Sequence, residues 1–258
     1  MKKVFILSIL VLFVGSLLAL ESDPSEVVGF VKITTQVGFT PFSLPFTFYS
    51  GGFQTFALDD IIGAQLTGGA APFLSDQIHP VEGGAYGWYD NTNWQTLTNF
   101  TDGHAYYAYI LTGHSANPIY LAGNVEQTPV DFGTMAVGFN PVGIREAGVV
   151  SLDNIDILSS GFTGGAAPFL SDQIHPVEGG AYAWHNGTAW QGFTTISPGK
   201  AYNIYVLSGH TPFTWIYDPT TRDSGITRPV KSTTTSDDSK IMKTIKSSTI
   251  KGTSNKRK

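Results

Sequence analysis

The chain has 258 residues, no cysteine and a formal net charge of −5, which excludes disulfide frameworks, Cys-based zinc sites and a lipid-bearing cysteine and leaves stability to packing. The net charge conceals two regions of opposite sign: three basic residues against seventeen acidic ones from Glu21 to Asp218, and ten basic against three acidic from Pro219 onward. An acidic body lacks the clustered cationic face that nucleic acid needs, so nucleic acid is excluded as its ligand.

In chain order, Lys2 and Lys3 precede the apolar run Val4–Val14, and small residues at Gly15, Ser16 and Ala19 follow. That layout predicts a secretory signal peptide over 1–20 and a secreted protein, extracellular or on the cell surface, with the periplasm as a further option. The competing reading is an uncleaved anchor, because Val4–Leu20 approaches the roughly 17 to 25 residues that span a bilayer; only then is the membrane a partner. Glu21 and Asp23 stand where a basic stop is expected and favour cleavage. A linker is expected over 21–27.

From Val28 the sequence reads mainly as strands. GFVKITT and the run FTPFSLPFTF from Phe39 carry alternating or continuous apolar residues and stop at Ser50-Gly51-Gly52. Phe56, Ile61, Ile62 and Leu66 are spaced for a short helix, and Gly63 limits its length. GAYGWYDNTNWQTL predicts a hairpin; its second copy carries Asn186-Gly187 in the turn, a strong signal. AYYAYIL from Ala105 is a strand whose second copy changes Tyr107 to Asn203, which marks that face as wet.

Internal repetition organises the rest. The twenty residues Thr67–Tyr86, TGGAAPFLSDQIHPVEGGAY, recur without a substitution at Thr163–Tyr182, whereas only twelve of the next twenty-eight positions agree. The expected fold is therefore mainly β: two tandem β-sandwich or barrel-like modules, 28–124 and 125–218, each with one short helix. A tail over 219–258, basic, rich in Ser, Thr and Lys and without aromatic residues, is expected to be disordered because it buries too little to offset the entropy of ordering.

FTPFSLPF, AYGWYDNTNWQTL, DGHAYYAYIL and, nearest of all, PGKAYNIYVL at Pro198–Leu207 resemble the strands of exported bacterial and archaeal β-rich repeat modules that carry GWNLISLP-like and GKGYWIYI-like motifs. The resemblance implies a β-rich module of secreted and cell-surface proteins and carries over no catalytic residue. Phe39 and Phe139 stand where that pattern favours Trp.

The segment SDQIHPVE offers Asp76, His79 and Glu82, and again Asp172, His175 and Glu178. A metal would need three of these to converge at about 2.0 to 2.5 Å. In an extended strand Asp76 and Glu82 share one face and His79 the other, so metal binding is a weak candidate and no cofactor is expected. Asp76 and Glu82 lie roughly 20 Å apart if extended, too far for a glycosidase pair. No G-x-S-x-G elbow, H-E-x-x-H, phosphate-binding loop or EF-hand ladder is present. Trp88 with Trp94, and Trp184 with Trp190, read either as a sugar-binding surface or as cross-strand partners that fasten the hairpin.

The sequence thus predicts a non-enzymatic structural or adhesive protein of the cell surface or extracellular matrix. It presents one loop surface twice, to itself in self-assembly or to a matrix polysaccharide. Asp76, His79, Glu82, Trp88 and Trp94, with Asp172, His175, Glu178, Trp184 and Trp190, are the candidate contact residues. The alternatives are a bivalent carbohydrate-binding protein and, further off, a hydrolase.

Overall fold

The computed structural model describes residues 28–46, 55–125 and 128–219. The segments read from sequence as a signal peptide and a linker, and the expected tail beyond Pro219, lie outside those residues. The first module contains β1 (Val28–Ile33), β2 (Gly38–Ser43), β3 (Thr55–Ala57), β4 (Gln77–Pro80), β5 (Gly87–Tyr89), β6 (Trp94–Thr96), β7 (Asn99–Thr101), β8 (Ala105–Ile110) and β9 (Ile119–Asn124). The second contains β10 (Val130–Met135), β11 (Gly138–Gly143), β12 (Val150–Ser151), β13 (Gln173–Pro176), β14 (Ala183–His185), β15 (Trp190–Gln191), β16 (Thr195–Ile196), β17 (Ala201–Val206) and β18 (Phe213–Tyr217).

The protein is mainly β, in two sandwich-like groups. Each module is built on a five-stranded antiparallel sheet, β2-β8-β4-β5-β6 in the first and β11-β17-β13-β14-β15 in the second. Two-stranded pairs cover one face of each: β1-β9 and β3-β7, then β10-β18 and β12-β16. The alternation read in AYYAYIL is realised in β8, where Tyr106, Ala108 and Ile110 are buried while Tyr107 and Tyr109 are only partly so. Pro41 and Pro141 sit in β2 and β11, the edge strands, where a missing N–H costs no ladder bond.

Phe42, Phe46, Phe100, Leu58, Ile78 and Leu121 fill the first core; Leu152, Ile174, Val206, Trp215 and Tyr217 lie in the second. Fully burying an aliphatic or aromatic side chain of this size contributes about 1.5 to 3 kcal/mol, and with no cysteine these two clusters carry the fold.

The helix is shorter than its spacing predicts. Phe56 pairs with Phe100 across β3 and β7, and the Leu58 N–H donates to the Thr98 carbonyl at 2.8 Å. The chain therefore stays extended until only α1 (Leu58–Ile61) can form, and Gly63, at φ +54°, ends it. Its counterpart α2 (Ile157–Ser160) starts after Asp156 in the left-handed conformation and stops at Gly161. Tertiary pairing overrides the local period here.

The modules join through a pseudo-twofold seam. The Ser43 N–H donates to the Gly199 carbonyl (2.9 Å) and the Gly143 N–H to the Gly103 carbonyl (2.7 Å); Ser43 and Gly143 are repeat equivalents, as are Gly103 and Gly199. The approach is close, since a Cβ on Gly143 would lie 2.3 Å from the His104 carbonyl oxygen. Arg145 and Asp102 form an ion pair across the seam at 2.7 Å, 3% and 0% exposed.

Candidate functional site

The repeated stretch divides into a buried clip and a surface. Asp76, 1% exposed, lies just before β4 and points inward. Its carboxylate accepts the Thr67 N–H (2.9 Å) and the Leu111 N–H (3.0 Å) and pairs with His114 Nδ1 (2.8 Å). Asp172 repeats all three contacts with Thr163, Leu207 and His210 at 2.8, 2.8 and 2.7 Å. Both aspartates, expected on the presented surface, are instead internal ties between loops far apart in sequence. Asp76 thus takes His114 rather than His79 or Glu82 as its partner. Among the described residues no three His, Cys, Asp or Glu side chains are grouped to hold a metal ion.

The surface is the uncovered face of the five-stranded sheet. Pairing registers place Phe39, Tyr109, Gln77, Trp88 and Gln95 in one row across β2, β8, β4, β5 and β6. A second row holds Pro41, Tyr107 and His79, and the Tyr86 ring stacks on His79 at 4.8 Å between centroids. Phe39, 49% exposed, lies against Tyr109 at 4.6 Å and edge-on to His79 and Tyr107 at 5.4 Å. The second module builds the same surface from Phe139, Tyr205, Gln173, Trp184, Gln191, Pro141, His175 and Tyr182, with Asn203 in place of Tyr107.

Polar groups on this face are fixed in position. The Gln77 amide donates to the Pro72 carbonyl at 2.8 Å, and its oxygen lies 2.8 Å from His79 Nε2. Gln173 and His175 repeat that geometry at 2.9 and 2.8 Å. Burial lowers the pKa of both histidines from the ordinary value of 6.5, so the rings are neutral at pH 7 and their Nε2 donates to the glutamine oxygen.

The tryptophans separate by parity. Tyr89 pairs with Trp94 and Trp88 with Gln95, so Trp88 and Trp94 are not the cross-strand neighbours that their spacing suggests. Trp94 (2% exposed) and Trp190 (6%) are core residues and leave the contact set, while Trp88 and Trp184 remain on the open face. The rows reveal Phe39, Tyr109 and Gln77 with their copies, which sequence reasoning did not place in the site. The signal for Phe39 and Tyr109 was identity between copies in strands that otherwise differ; Gln77 lies within the identical twenty residues, where no position stands out.

Glu82 lies beyond β4 and is paired with His104 at 2.5 Å. Burial raises its pKa, but the His104 hydrogen bond, its own backbone N–H and the imidazolium charge outweigh that and hold it below the usual range. His104 is raised chiefly by the bond to Glu82. In the second copy Lys200 pairs with Glu178. A cleft of about 620 Å³ at the seam is lined by Glu82, Asp102 and His104 of the first module and Asp131, Phe132 and Phe139 of the second. Its carboxylates are engaged: Glu82 with His104, Asp102 with Arg145, and Asp131 with the Gly133 N–H at 2.8 Å.

Comparison of the chain with known families, curated proteins and solved structures finds no match. Among the described residues no helix is long and apolar enough to cross a membrane.

Proposed function

We propose that the protein is a secreted, non-enzymatic adhesive or structural component of the cell surface or extracellular matrix that makes the same contact twice, through the open faces of its two five-stranded sheets. One observation carries this reading. Outside the identical twenty residues, strands β2, β5, β6 and β8 have six exposed or half-buried positions on the open face, Ser43 and Ala105 of the same parity being buried, and ten on the covered face. Five of the six match their copy: Phe39, Pro41, Trp88, Gln95 and Tyr109. Only Gly38, Trp94 and Tyr106 of the ten do. Packing tolerates exchange among apolar residues, and the covered side has exchanged Phe42 for Val142 and Ala108 for Ile204. An open face held more constant than the opposite side of the same strands points to a common partner.

Two equal contacts on one chain make the second intramolecular, which raises avidity over a single contact by about 10²- to 10⁴-fold when geometry permits. The resemblance of the strand motifs to exported modules supports the same reading. A glycosidase would use the seam cleft, where carboxylates of both modules meet, but it needs a carboxylic acid held protonated. Glu82 is pushed the other way and Asp102 is ion-paired, which supports a binding role.

The test is retention on native cell-envelope and matrix fractions. Replacing Phe39 and Tyr109 by Ser is expected to leave weakened, single-contact retention, and adding Phe139→Ser and Tyr205→Ser to abolish it. Undiminished retention of the quadruple variant would refute the proposal.

A further inference from the structure

Resting on that reading, the geometry points to an uncharged polysaccharide as the ligand of each open face, lying across the strands along the row Phe39–Tyr109–Gln77–Trp88–Gln95 and its copy.

The argument starts from what the row contains. Strands stand about 4.7 to 4.9 Å apart, so Tyr109 and Trp88, two strands apart, are separated by roughly 9 to 10 Å, a distance that a short oligosaccharide spans. Aromatic rings offer flat apolar area with an electron-rich face, which suits the C–H faces of pyranose rings. Between them stands Gln77, whose orientation is set by Pro72 and His79 before any ligand arrives. With its Nε2–H given to Gln77, His79 retains Nδ1 as an acceptor, beside the remaining amide N–H of Gln77. Rings separated by a few placed polar groups are the usual composition of a ligand site, and prior fixation lowers the ordering cost of binding.

Charge narrows the class. Neither row contains an Asp, Glu, Lys or Arg side chain, although seventeen acidic residues lie between Glu21 and Asp218. A polyanion would meet an acidic body, and the carboxylates that adjoin the rows are already engaged, Asp90 with the Gln95 amide and those beside Phe139 with His104, Arg145 and the Gly133 N–H, which disfavours a polycation. A second copy of the chain fits less well: two such faces packed dry against each other would leave the remaining Gln77 N–H and His79 Nδ1 without partners, at about 1 to 3 kcal/mol for each unsatisfied group. Hydroxyl groups satisfy them.

The experiment is titration of the full chain with soluble hydroxyethyl cellulose and mannan as uncharged probes and dextran sulfate as the charged one, followed by calorimetry. Binding to an uncharged probe is expected to change little between low and high salt. Trp88→Ala with Trp184→Ala should weaken it at least roughly thirtyfold, the loss expected on removing a central aromatic anchor. Either single variant should lose the two-site avidity and keep one-site binding. Fluorescence of the buried Trp94, Trp190 and Trp215 reports whether the variants remain folded. Three outcomes overturn the inference: no uncharged probe binds, only dextran sulfate binds and does so salt-dependently, or the folded double variant binds as the parent does. If envelope retention is still lost on removing Phe39, Tyr109, Phe139 and Tyr205 while no uncharged probe binds, the face stands as a contact surface and the polysaccharide is rejected.

Discussion

Replacing Asp76 by Ala tests whether the repeated stretch is anchored by its carboxylate. The side chain is 1% exposed and accepts two backbone N–H groups, from Thr67 and Leu111, besides its pairing with His114. A hydrogen bond to a charged group contributes about 1.5 to 3 kcal/mol, so the two backbone donors alone account for roughly 3 to 6 kcal/mol. His114 is 24% exposed and adds less, because water replaces part of what it loses. Removing the carboxylate relieves its own desolvation but leaves two N–H groups buried without an acceptor. The expected net loss is about 3 to 5 kcal/mol, as for other broken buried charge partners, against a typical total of roughly 5 to 15 kcal/mol. Urea unfolding followed by tryptophan fluorescence measures it, with Trp94 reporting on the first module. Asp172→Ala should cause the same loss in the second, where the three contacts are repeated. A loss below about 1 kcal/mol in either variant would show that the carboxylate is dispensable, and the clip would be refuted.

Three further outcomes are expected. Arg145→Ala leaves Asp102 buried at the seam without its guanidinium and should cost about 3 to 5 kcal/mol, read as earlier unfolding in urea. Gly199→Ala forces a Cβ to within 2.5 Å of Ile33 Cδ1 at a φ of +75°; overpacking of this kind costs about 1 to 3 kcal/mol, and calorimetry should show the two modules unfolding in separate steps. The histidines of the open faces set a pH dependence. Because burial lowers His79 and His175 below 6.5, their contribution to stability is full above pH 6.5 and declines as pH falls from there through the lowered folded value. The aromatic groups around His79 are Phe39, Tyr86 and Tyr109, with Tyr107 on the same row. Replacing both histidines by Gln should flatten the acid limb of stability against pH. His104, whose pKa is raised by Glu82, acts in the opposite sense and is unchanged in that comparison.

Much of the fold was legible because pleat parity is local. The exchange of Tyr107 for Asn203 marks the open side of β8, and Asn186-Gly187 marks the hairpin, where Gly187 takes φ +95° and its counterpart Asn91 φ +76°. What escaped were long-range contacts. Asp76 looks like a surface ligand until Leu111 and His114 are brought to it from 35 and 38 residues away, and no periodicity encodes that closure. A trace existed: His114 and His210 are identical while the residues after them, Ser115 and Thr211, are not. The tryptophans were misjudged because hairpin register decides orientation. A four-residue connection from Tyr89 to Trp94 places Trp88 opposite Gln95, so residues six apart face opposite sides.

The same parity bears on why twenty residues remain identical. Local gene conversion copies contiguous blocks and accounts for Thr67–Tyr86 without any constraint from a partner. It does not account for β2, where Phe39 and Pro41 match their copies while Thr40 and Phe42 do not, or for the hairpin strand in which Trp88 is retained between the altered Gly87 and Tyr89. Identity that alternates with the pleat follows a face, and a copying event has no knowledge of faces. Within the twenty residues both causes overlap: Asp76 and Ile78 are held from inside, Gln77 and His79 from outside. Constraint from both sides accounts for identity at these strand positions, and the open face alone accounts for the alternating identity in the neighbouring strands.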